Sequence, residues 1–226
     1  MTYVDIASGD RVELSATTLE NHAAKIGNAL RDEYDLEPGD AVRLTLPLHW
    51  QLSAWCAGVW TAGCVIVIDD DLAGVSALTV VDEHSAYEGR SGDATTIAVS
   101  MHPFGLPIAA ALPEGVSDAT LAVRTQPDAF MFEATGGDAR ALLVSGAALS
   151  QADVLDEARA QAERWGLAPG GRLLVSADMA GVPGLLAALA VPLVVDASVV
   201  IARTTGGAQE QSALAAAERV TATASP

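Results

Sequence analysis

The sequence predicts an α/β fold with layered sheets, largely parallel strands and flanking helices. Residues 36–68 follow the order of turn, strand, apolar helix, glycine turn and buried strand, and residues 167–202 repeat that order. A strand, a helix and a second strand in close succession indicate a βαβ unit, whose strands lie parallel in one sheet. Two pseudo-repeated βαβ units therefore predict a layered α/β domain with internal pseudo-symmetry.

We predict one domain over residues 1–226, built from two half-units of about 1–125 and 126–205 and a short tail, 206–226. The seam is placed near Pro127, where the chain pattern breaks. The tail contains one Ala-rich stretch, which predicts a short helix followed by a frayed end.

The first half-unit opens with two short strands within residues 2–14, hinged at Gly9. A helix over residues 18–34 follows, for which Ser15 or Thr17 is the N-cap.

The first βαβ unit begins at the turn Pro38-Gly39-Asp40, since Pro fixes φ and Gly tolerates a positive φ. Residues 41–46 alternate and are rich in β-formers, so they predict a strand. Residues 50–61 are apolar and free of Pro, which favours a buried helix, and residues 64–68 predict a buried strand.

The rest of the chain gives weaker but ordered signals. Strands are predicted at 95–100 and 140–145, and a helix at 150–165 with Ser150 as N-cap. The second βαβ unit is predicted as a strand at 172–176, a helix at 184–191 and a strand at 197–202.

Composition bounds the class of protein. The chain is 50% hydrophobic and only 18% charged, which is typical of a folded domain. Its formal net charge of −17 would repel nucleic-acid phosphates and anionic lipid, so we expect neither as a partner. The acidity also has a simpler explanation, which is solubility.

The two cysteines, Cys56 and Cys64, lie in the apolar helix and strand of the first unit, so we expect buried thiols that pack as small hydrophobes. The N-terminal residues lack the pattern of a signal peptide. The long uncharged run at 179–195 is interrupted by Pro183 and Pro192, which argues against a membrane span. We therefore expect a cytoplasmic protein.

Two features invite a catalytic or metal-binding interpretation. Asp69-Asp70-Asp71 follows a predicted strand and could hold Mg²⁺, although a solvated turn explains it better. His102 could be catalytic, but no nucleophile motif accompanies it, so we expect a structural histidine in a loop.

A small-residue loop offers a candidate phosphate site. Thr135, Gly136 and Gly137 could let backbone N–H groups approach an anion, and Arg140 could pair with it. The segment matches neither GxxxxGK[ST] nor GxGxxG, so a plain turn is the simpler interpretation.

The order of these segments resembles the amino-terminal part of the adenylate-forming superfamily, which includes acyl-CoA synthetases, luciferases and peptide-synthetase adenylation domains. The family pattern L-x-P-G-D-x-V is matched by Leu36, Pro38, Gly39, Asp40 and Val42. The family's later hxxGLxxxLxxPLxxGxxVVLxR stretch is matched at Gly184, Leu185, Leu189, Pro192, Leu193, Val199, Val200 and Arg203. The resemblance runs from Tyr3 to Arg203 and implies the same fold.

The chain departs from the family where ATP would bind. The family's phosphate loop ends in Gly-x-Pro-Lys-Gly, whereas residues 137–141 read Gly-Asp-Ala-Arg-Ala, with Arg140 in the place of Lys. Asp138 adds a negative charge that opposes a triphosphate. The sequence also ends before the family's Tyr-Gly-x-Thr-Glu segment and the carboxyl-terminal domain with its catalytic Lys.

These departures imply a non-catalytic, degenerate relative that acts as a small-molecule or protein-interaction module, with no catalytic residue, metal or cofactor expected. The alternative is a residual nucleotide-binding enzyme of the acid-activating type. Thr135, Gly136, Gly137 and Arg140 would then hold ATP or AMP with Mg²⁺. A homo-oligomer that covers an exposed sheet edge is a further possibility.

Overall fold

A computed structural model describes residues 1–68, 76–88, 95–131, 135–177, 179, 181–203 and 207–226. Its helices are α1 (Ala16–Asp32), α2 (Trp50–Thr61), α3 (Ala119–Arg124), α4 (Gln151–Arg164), α5 (Gly181–Ala188), α6 (Ala190–Val194) and α7 (Ala208–Ala217). Its strands are β1 (Thr2–Asp5), β2 (Asp10–Glu13), β3 (Ala41–Thr45), β4 (Val65–Val67), β5 (Leu78–Asp82), β6 (Thr95–Val99), β7 (Val116–Asp118), β8 (Arg140–Val144), β9 (Ala147–Ser150), β10 (Arg172–Ser176), β11 (Ser198–Ala202) and β12 (Ala222–Thr223).

The strands form two sheets. One has five strands in the order β12-β10-β11-β1-β2, and the other has seven in the order β7-β6-β5-β3-β4-β8-β9. Only the pairs β1–β2 and β8–β9 are antiparallel among the described strands, and the other pairs are parallel. The predicted class, an α/β fold with largely parallel layered sheets, is therefore confirmed.

Both predicted βαβ units are present and use the same hydrogen bonds. Strands β3 and β4 are parallel neighbours, as are β10 and β11. In the first unit Gly39 N donates to Gly63 O at 2.9 Å, and in the second Gly170 N donates to Asp196 O at 2.8 Å. The two acceptor residues also share a left-handed backbone, with φ of 74° at Gly63 and 53° at Asp196. The pseudo-repeat thus extends to backbone detail.

Each predicted half of the chain contributes a hairpin that pairs with a strand of the other half. The β1–β2 hairpin pairs with β11 of the second βαβ unit, and the β8–β9 hairpin pairs with β4 of the first. The predicted boundary near residue 125 therefore does not coincide with a division between the two sheets. Each sheet contains strands from both predicted halves of the chain.

The second apolar helix differs from its prediction. The helix predicted at 184–191 begins at Gly181 and stops at Ala188, and the separate helix α6 follows. Leu189 lies between them with φ of −140° and ψ of −65°. Pro192 accounts for the break, because it has no N–H to donate to a carbonyl four residues earlier. No helix in the described ranges is both long enough and apolar enough to cross a membrane.

Helix α2 lies at the centre of the core. Trp50, Trp55 and Cys56 are each at most 3% exposed, and Ser53 Oγ donates to Ala188 O of the second unit at 2.9 Å. Cys64 is buried as well and both thiols are free, as predicted. The hydrogen bond from Ser53 to Ala188 joins the two βαβ units through helices α2 and α5.

The carboxyl-terminal residues are ordered in the sheet, so the prediction of a frayed end is wrong. Strand β12 adds to β10 in parallel, and Arg172 N donates to Thr221 Oγ1 at 2.8 Å. Trp165 Nε1 donates to Ser225 O at 3.1 Å. The sequence does not predict strand β12, because two residues are too few to show a periodic pattern.

Glu218 links this tail to strands β2 and β10. The variant Glu218→Ala is expected to lower the free energy of unfolding by about 1 kcal/mol. Its carboxylate accepts hydrogen bonds from Arg11 Nε and Arg172 Nη2, both at 2.7 Å, and its side chain is 11% exposed. Urea unfolding measures the loss. Glu13, which is 62% exposed and pairs with Arg11 at 3.1 Å, is the control, because Glu13→Ala should change stability by less than about 0.5 kcal/mol. Equal losses in the two variants would contradict this account.

Candidate functional site

The structure brings the four predicted phosphate-site residues together in one short turn. Ala139 N donates to Gly136 O at 2.9 Å, and Thr135, Gly136 and Gly137 are exposed. Arg140 is exposed too and begins strand β8. These residues form an exposed turn that leads into strand β8.

The carbonyl groups of this turn bind the start of helix α4. Gln151 N donates to Ala139 O and Ala152 N donates to Gly137 O, each at 2.9 Å. Asp153 N donates to Ser150 Oγ at 3.1 Å in a capping box, and Ser150 is the N-cap that the sequence predicts. A helix N-terminus binds anions through its free N–H groups. These three N–H groups of α4 already have acceptors.

Asp138 further limits the turn as an anion site. A Cβ atom built on Gly136 would lie 2.5 Å from Asp138 Oδ1, so the carboxylate lies directly against the Gly136 backbone. A glycine is needed at position 136 for that close approach. A phosphate group bound over this backbone would meet a like charge, which is unfavourable.

An apolar groove of about 560 Å³ lies beside the turn, between α2, α4 and α6. Its wall includes Trp60, Thr135, Gln151, Leu155, Leu189 and Leu193. Gln151 Nε2 donates to Thr135 Oγ1 at 2.7 Å, so the Thr135 hydroxyl is engaged by α4.

A second concave site lies at the carboxyl ends of the strands in both βαβ units. This carboxyl-end crevice has a volume of about 500 Å³ and is lined by residues that end or follow β3, β4, β10 and β11, including Thr45, Pro47, Ile68, Ala177 and Arg203. In open α/β sheets, ligands bind beyond the carboxyl ends of the strands. The pseudo-repeat places the loops of both units around this one crevice.

Arg203 is the cationic group of the crevice. Its Nη1 lies 3.6 Å from Asp5 Oδ2, and 38% of its side chain is exposed. Burial raises the pKa of Tyr3, and the hydrogen bond and charge of Arg203 offset part of that rise. Arg203 thus has a buried side, facing β1, and an accessible side.

His49 is fully buried at the start of α2. Its Nδ1 accepts a hydrogen bond from Gln51 N at 3.1 Å, and its ring centroid lies 4.2 Å from that of Tyr3. Burial, followed by the charge of Arg203, lowers the pKa of His49 to about 3. The ring is therefore neutral at pH 7 and serves as a helix cap. Its Nε2 atom has no hydrogen-bond partner among the described residues.

The other sequence candidates do not form a catalytic group in the described ranges. His102 is exposed and its Nδ1 accepts from Phe104 N at 3.1 Å, which makes it a loop-stabilising residue. Burial raises the pKa of the Cys64 thiol to about 12. Asp69-Asp70-Asp71 lies outside the described residues, within which no group of three potential metal ligands occurs.

Several solved structures share this fold. An acyl-CoA synthetase from Brucella canis superimposes with a TM-score of 0.78 at 19% identity, over 98% of this chain and 43% of that one. The N-terminal domain of FACL13 from Mycobacterium tuberculosis gives 0.71 at 16% identity, over 96% of this chain and 56% of that domain's chain. ATP-bound MatB from Rhodopseudomonas palustris gives 0.71 at 19% identity, over 95% and 44%. The fold is that of the amino-terminal part of the adenylate-forming enzymes, and the chain spans less than two thirds of each of these proteins.

Sequence comparison is more specific. No family model matches the chain. A TIGR03089 family protein of Mycobacterium tuberculosis (strain ATCC 25618 / H37Rv) is 41% identical over 197 residues, which cover 84% of this chain and 78% of that protein. The chain belongs to the TIGR03089 family.

Two residues of interest were not found from the sequence. His49 and Gln51 are polar side chains at the start of a helix that is otherwise strongly apolar, and both are buried. That contrast is the signal that could have found them, since a polar residue in a buried helix needs a partner or a role.

Proposed function

We propose that this protein is a non-catalytic, AMP-binding-like protein that binds a small molecule in the carboxyl-end crevice and does not form acyl-adenylates. The supporting observation is the turn at residues 135–140. Its carbonyls bind the N–H groups of α4, and Asp138 lies over Gly136. Acid activation requires a bound triphosphate whose developing charge is stabilised. The turn opposes both requirements.

The crevice supports a particular class of ligand. Its walls are mainly apolar, with Leu46, Leu52 and Leu185 among them, and Arg203 adds one cationic group. An apolar body with a single carboxylate complements such a site, because the guanidinium can form charge-assisted hydrogen bonds to the acid. Asp5 on the other side of Arg203 holds the guanidinium in place.

Octanoate is the probe for this proposal. It should raise the thermal unfolding midpoint in a concentration-dependent way, since a ligand that binds only the folded state stabilises it. Arg203→Gln should weaken octanoate binding by about tenfold or more, the effect of losing a charged hydrogen bond. 1-Octanol should bind the wild type and Arg203→Gln alike, and Arg140→Gln is the control that leaves octanoate binding unchanged. Equal octanoate binding by Arg203→Gln and the wild type would refute the crevice assignment.

Nucleotide titration separates the proposal from its alternative, a residual nucleotide-binding enzyme. Mg-ATP and AMP at millimolar concentration should leave the unfolding midpoint unchanged, and the protein should show no acid-dependent ATP–pyrophosphate exchange. Exchange that is abolished by Arg140→Ala would instead establish the alternative. A midpoint shift that Arg140→Ala removes would show that the turn still holds a phosphate group.

A further inference from the structure

A separate cleft lies between α1, α2, α3 and the loop after β6. It has a volume of about 470 Å³ and shares no lining residue with the carboxyl-end crevice. The residues that matter most in it are His22, Trp50, Gln51, Phe104, Gly105 and Leu106. We call it the Gln51 cleft. A volume of several hundred cubic ångströms is typical of small-molecule sites.

Gln51 is the unusual residue of this cleft. It is only 7% exposed and lines the cleft, yet its carboxamide has no hydrogen-bond partner among the described residues. Its backbone N–H is the group that donates to His49 Nδ1. Neither amide atom is among the fully buried atoms that lack a partner, so the carboxamide opens into the cleft and water can satisfy it there. A ligand in the cleft would take the place of that water at both edges of the carboxamide.

The loop after β6 brings a glycine directly against this amide. A Cβ atom on Gly105 would lie 3.6 Å from Gln51 Nε2 and 3.3 Å from Trp50 Cη2. Gly105 has φ of +59°, a conformation that favours glycine. Trp50 Nε1 donates to Pro103 O at 2.9 Å, which anchors the loop beside the cleft. The backbone therefore leaves the space next to the carboxamide open.

The walls of the cleft suit a flat ring. The Trp50 and His22 rings lie 5.2 Å apart, and Phe104 and Leu106 on the loop are 68% and 48% exposed. Aromatic side chains favour offset or tilted contacts with a ligand ring. A ring bound here would cover the exposed apolar surface of the loop.

His22 and Gln51 are neutral polar groups of the cleft, while Lys25 from α1 and Arg124 from α3 are cations at its wall. Burial, followed by the charge of Lys25, lowers the pKa of His22, so its imidazole is uncharged at pH 7. Lys25 itself is engaged by Asp128 at 2.8 Å and by Gln126 O at 2.6 Å. A carboxamide offers one donor edge and one acceptor edge, which an amide or lactam complements and a carboxylate does not.

We infer that the Gln51 cleft binds a planar aromatic or heteroaromatic compound with a carboxamide or lactam edge. The Gln51 carboxamide forms paired hydrogen bonds to that edge, and Trp50 and Phe104 cover the ring. This site is independent of the proposed carboxylate site at Arg203.

The probe is 4-fluorobenzamide, observed by ¹⁹F NMR with the full chain, and binding at about millimolar affinity is expected for a fragment of this size. 4-Fluoroacetophenone, which keeps the ring and carbonyl but lacks the N–H donors, should bind at least about tenfold more weakly. Gln51→Leu should abolish this preference, because leucine offers neither the donor edge nor the acceptor edge of the carboxamide. Gln161→Leu is the matched control, a buried glutamine of α4 with an unpaired Oε1, and it should leave probe binding unchanged.

A second variant gives a positive signal. Gln51→Glu should reverse the preference from 4-fluorobenzamide to 4-fluorobenzamidine, whose donors pair with a carboxylate. Arg203→Gln should change neither result, which separates this site from the crevice. Absence of probe binding, equal binding of the amide and the ketone, or unchanged preference in Gln51→Glu would each overturn the inference.

Discussion

Acidification from pH 7 to pH 5 is expected to lower the free energy of unfolding by about 2 kcal/mol through His49 alone. The ring is fully buried, and burial together with the nearby Arg203 charge lowers its pKa to about 3. In the unfolded chain the ordinary histidine pKa is about 6.5. Between these two values the unfolded chain takes up a proton that the folded protein does not.

The sign of the effect follows from that difference. Stability contributed by the neutral ring is fully present above about pH 6.5 and declines as the pH falls towards 3, at about 1.4 kcal/mol per pH unit. Protonation in the folded state would also remove the cap of α2, because Nδ1 accepts from Gln51 N. The groups that face the ring are Tyr3, Arg203 and Asp5, and among these only Asp5 favours the charged form.

Urea unfolding of the wild type and His49→Asn at pH 7, 6 and 5 measures this effect. Asparagine keeps a capping oxygen and does not titrate, so its stability should fall less steeply with pH. The other groups with lowered pKa titrate in both proteins and cancel in the comparison. They are the Met1 amino group, His22, Asp32, Asp153 and Glu218. Parallel stability curves for the two proteins would show that His49 does not carry the acid sensitivity.

Local elements followed closely from the sequence where turn residues bracket an apolar run. Helix α2 and strand β10 have the predicted bounds, because each is a mainly apolar run with a glycine beside it, Gly63 after α2 and Gly170 before β10. The pairing of strands that lie far apart in the chain could not be predicted from the sequence. Tyr3 lies opposite Ile201 in the sheet, and no local pattern identifies that partner.

The candidate sites show the same limit. The sequence located the turn at Thr135, Gly136 and Gly137 and the opposing charge of Asp138, because these depend on residue type and order. It could not show that Gly137 O binds Ala152 N, since that contact depends on where α4 docks. The full burial of His49 likewise requires Tyr3 from the other sheet.

The packing of α1 against α2 gives the second large expected effect, in which Gly58→Ala lowers the free energy of unfolding by about 2 kcal/mol. A Cβ atom at position 58 would lie 2.4 Å from Ile26 Cγ2 and 2.5 Å from Ile26 Cβ. Overpacking of a core costs about 1–3 kcal/mol and occasionally more. The close contact with the stem of Ile26 should place this site at the upper end, so the loss exceeds the roughly 1 kcal/mol that alanine gains over glycine in a helix.

Gly27→Ala in α1 is the matched control. Its added methyl would lie 3.1 Å from the Phe130 ring and at an ordinary contact distance of 3.5 Å from Thr61 Cγ2. Phe130 is partly buried at the surface beside Arg31. A side chain with solvent on one side can move, so the cost should roughly cancel the gain in helix propensity. Urea unfolding should show a lower midpoint for Gly58→Ala with an unchanged m-value, and a midpoint near the wild type for Gly27→Ala. Similar midpoints for the two variants would mean that α1 can move away from α2 at little cost. The close contact of these helices at Gly58 would then not be what fixes α1 against the core.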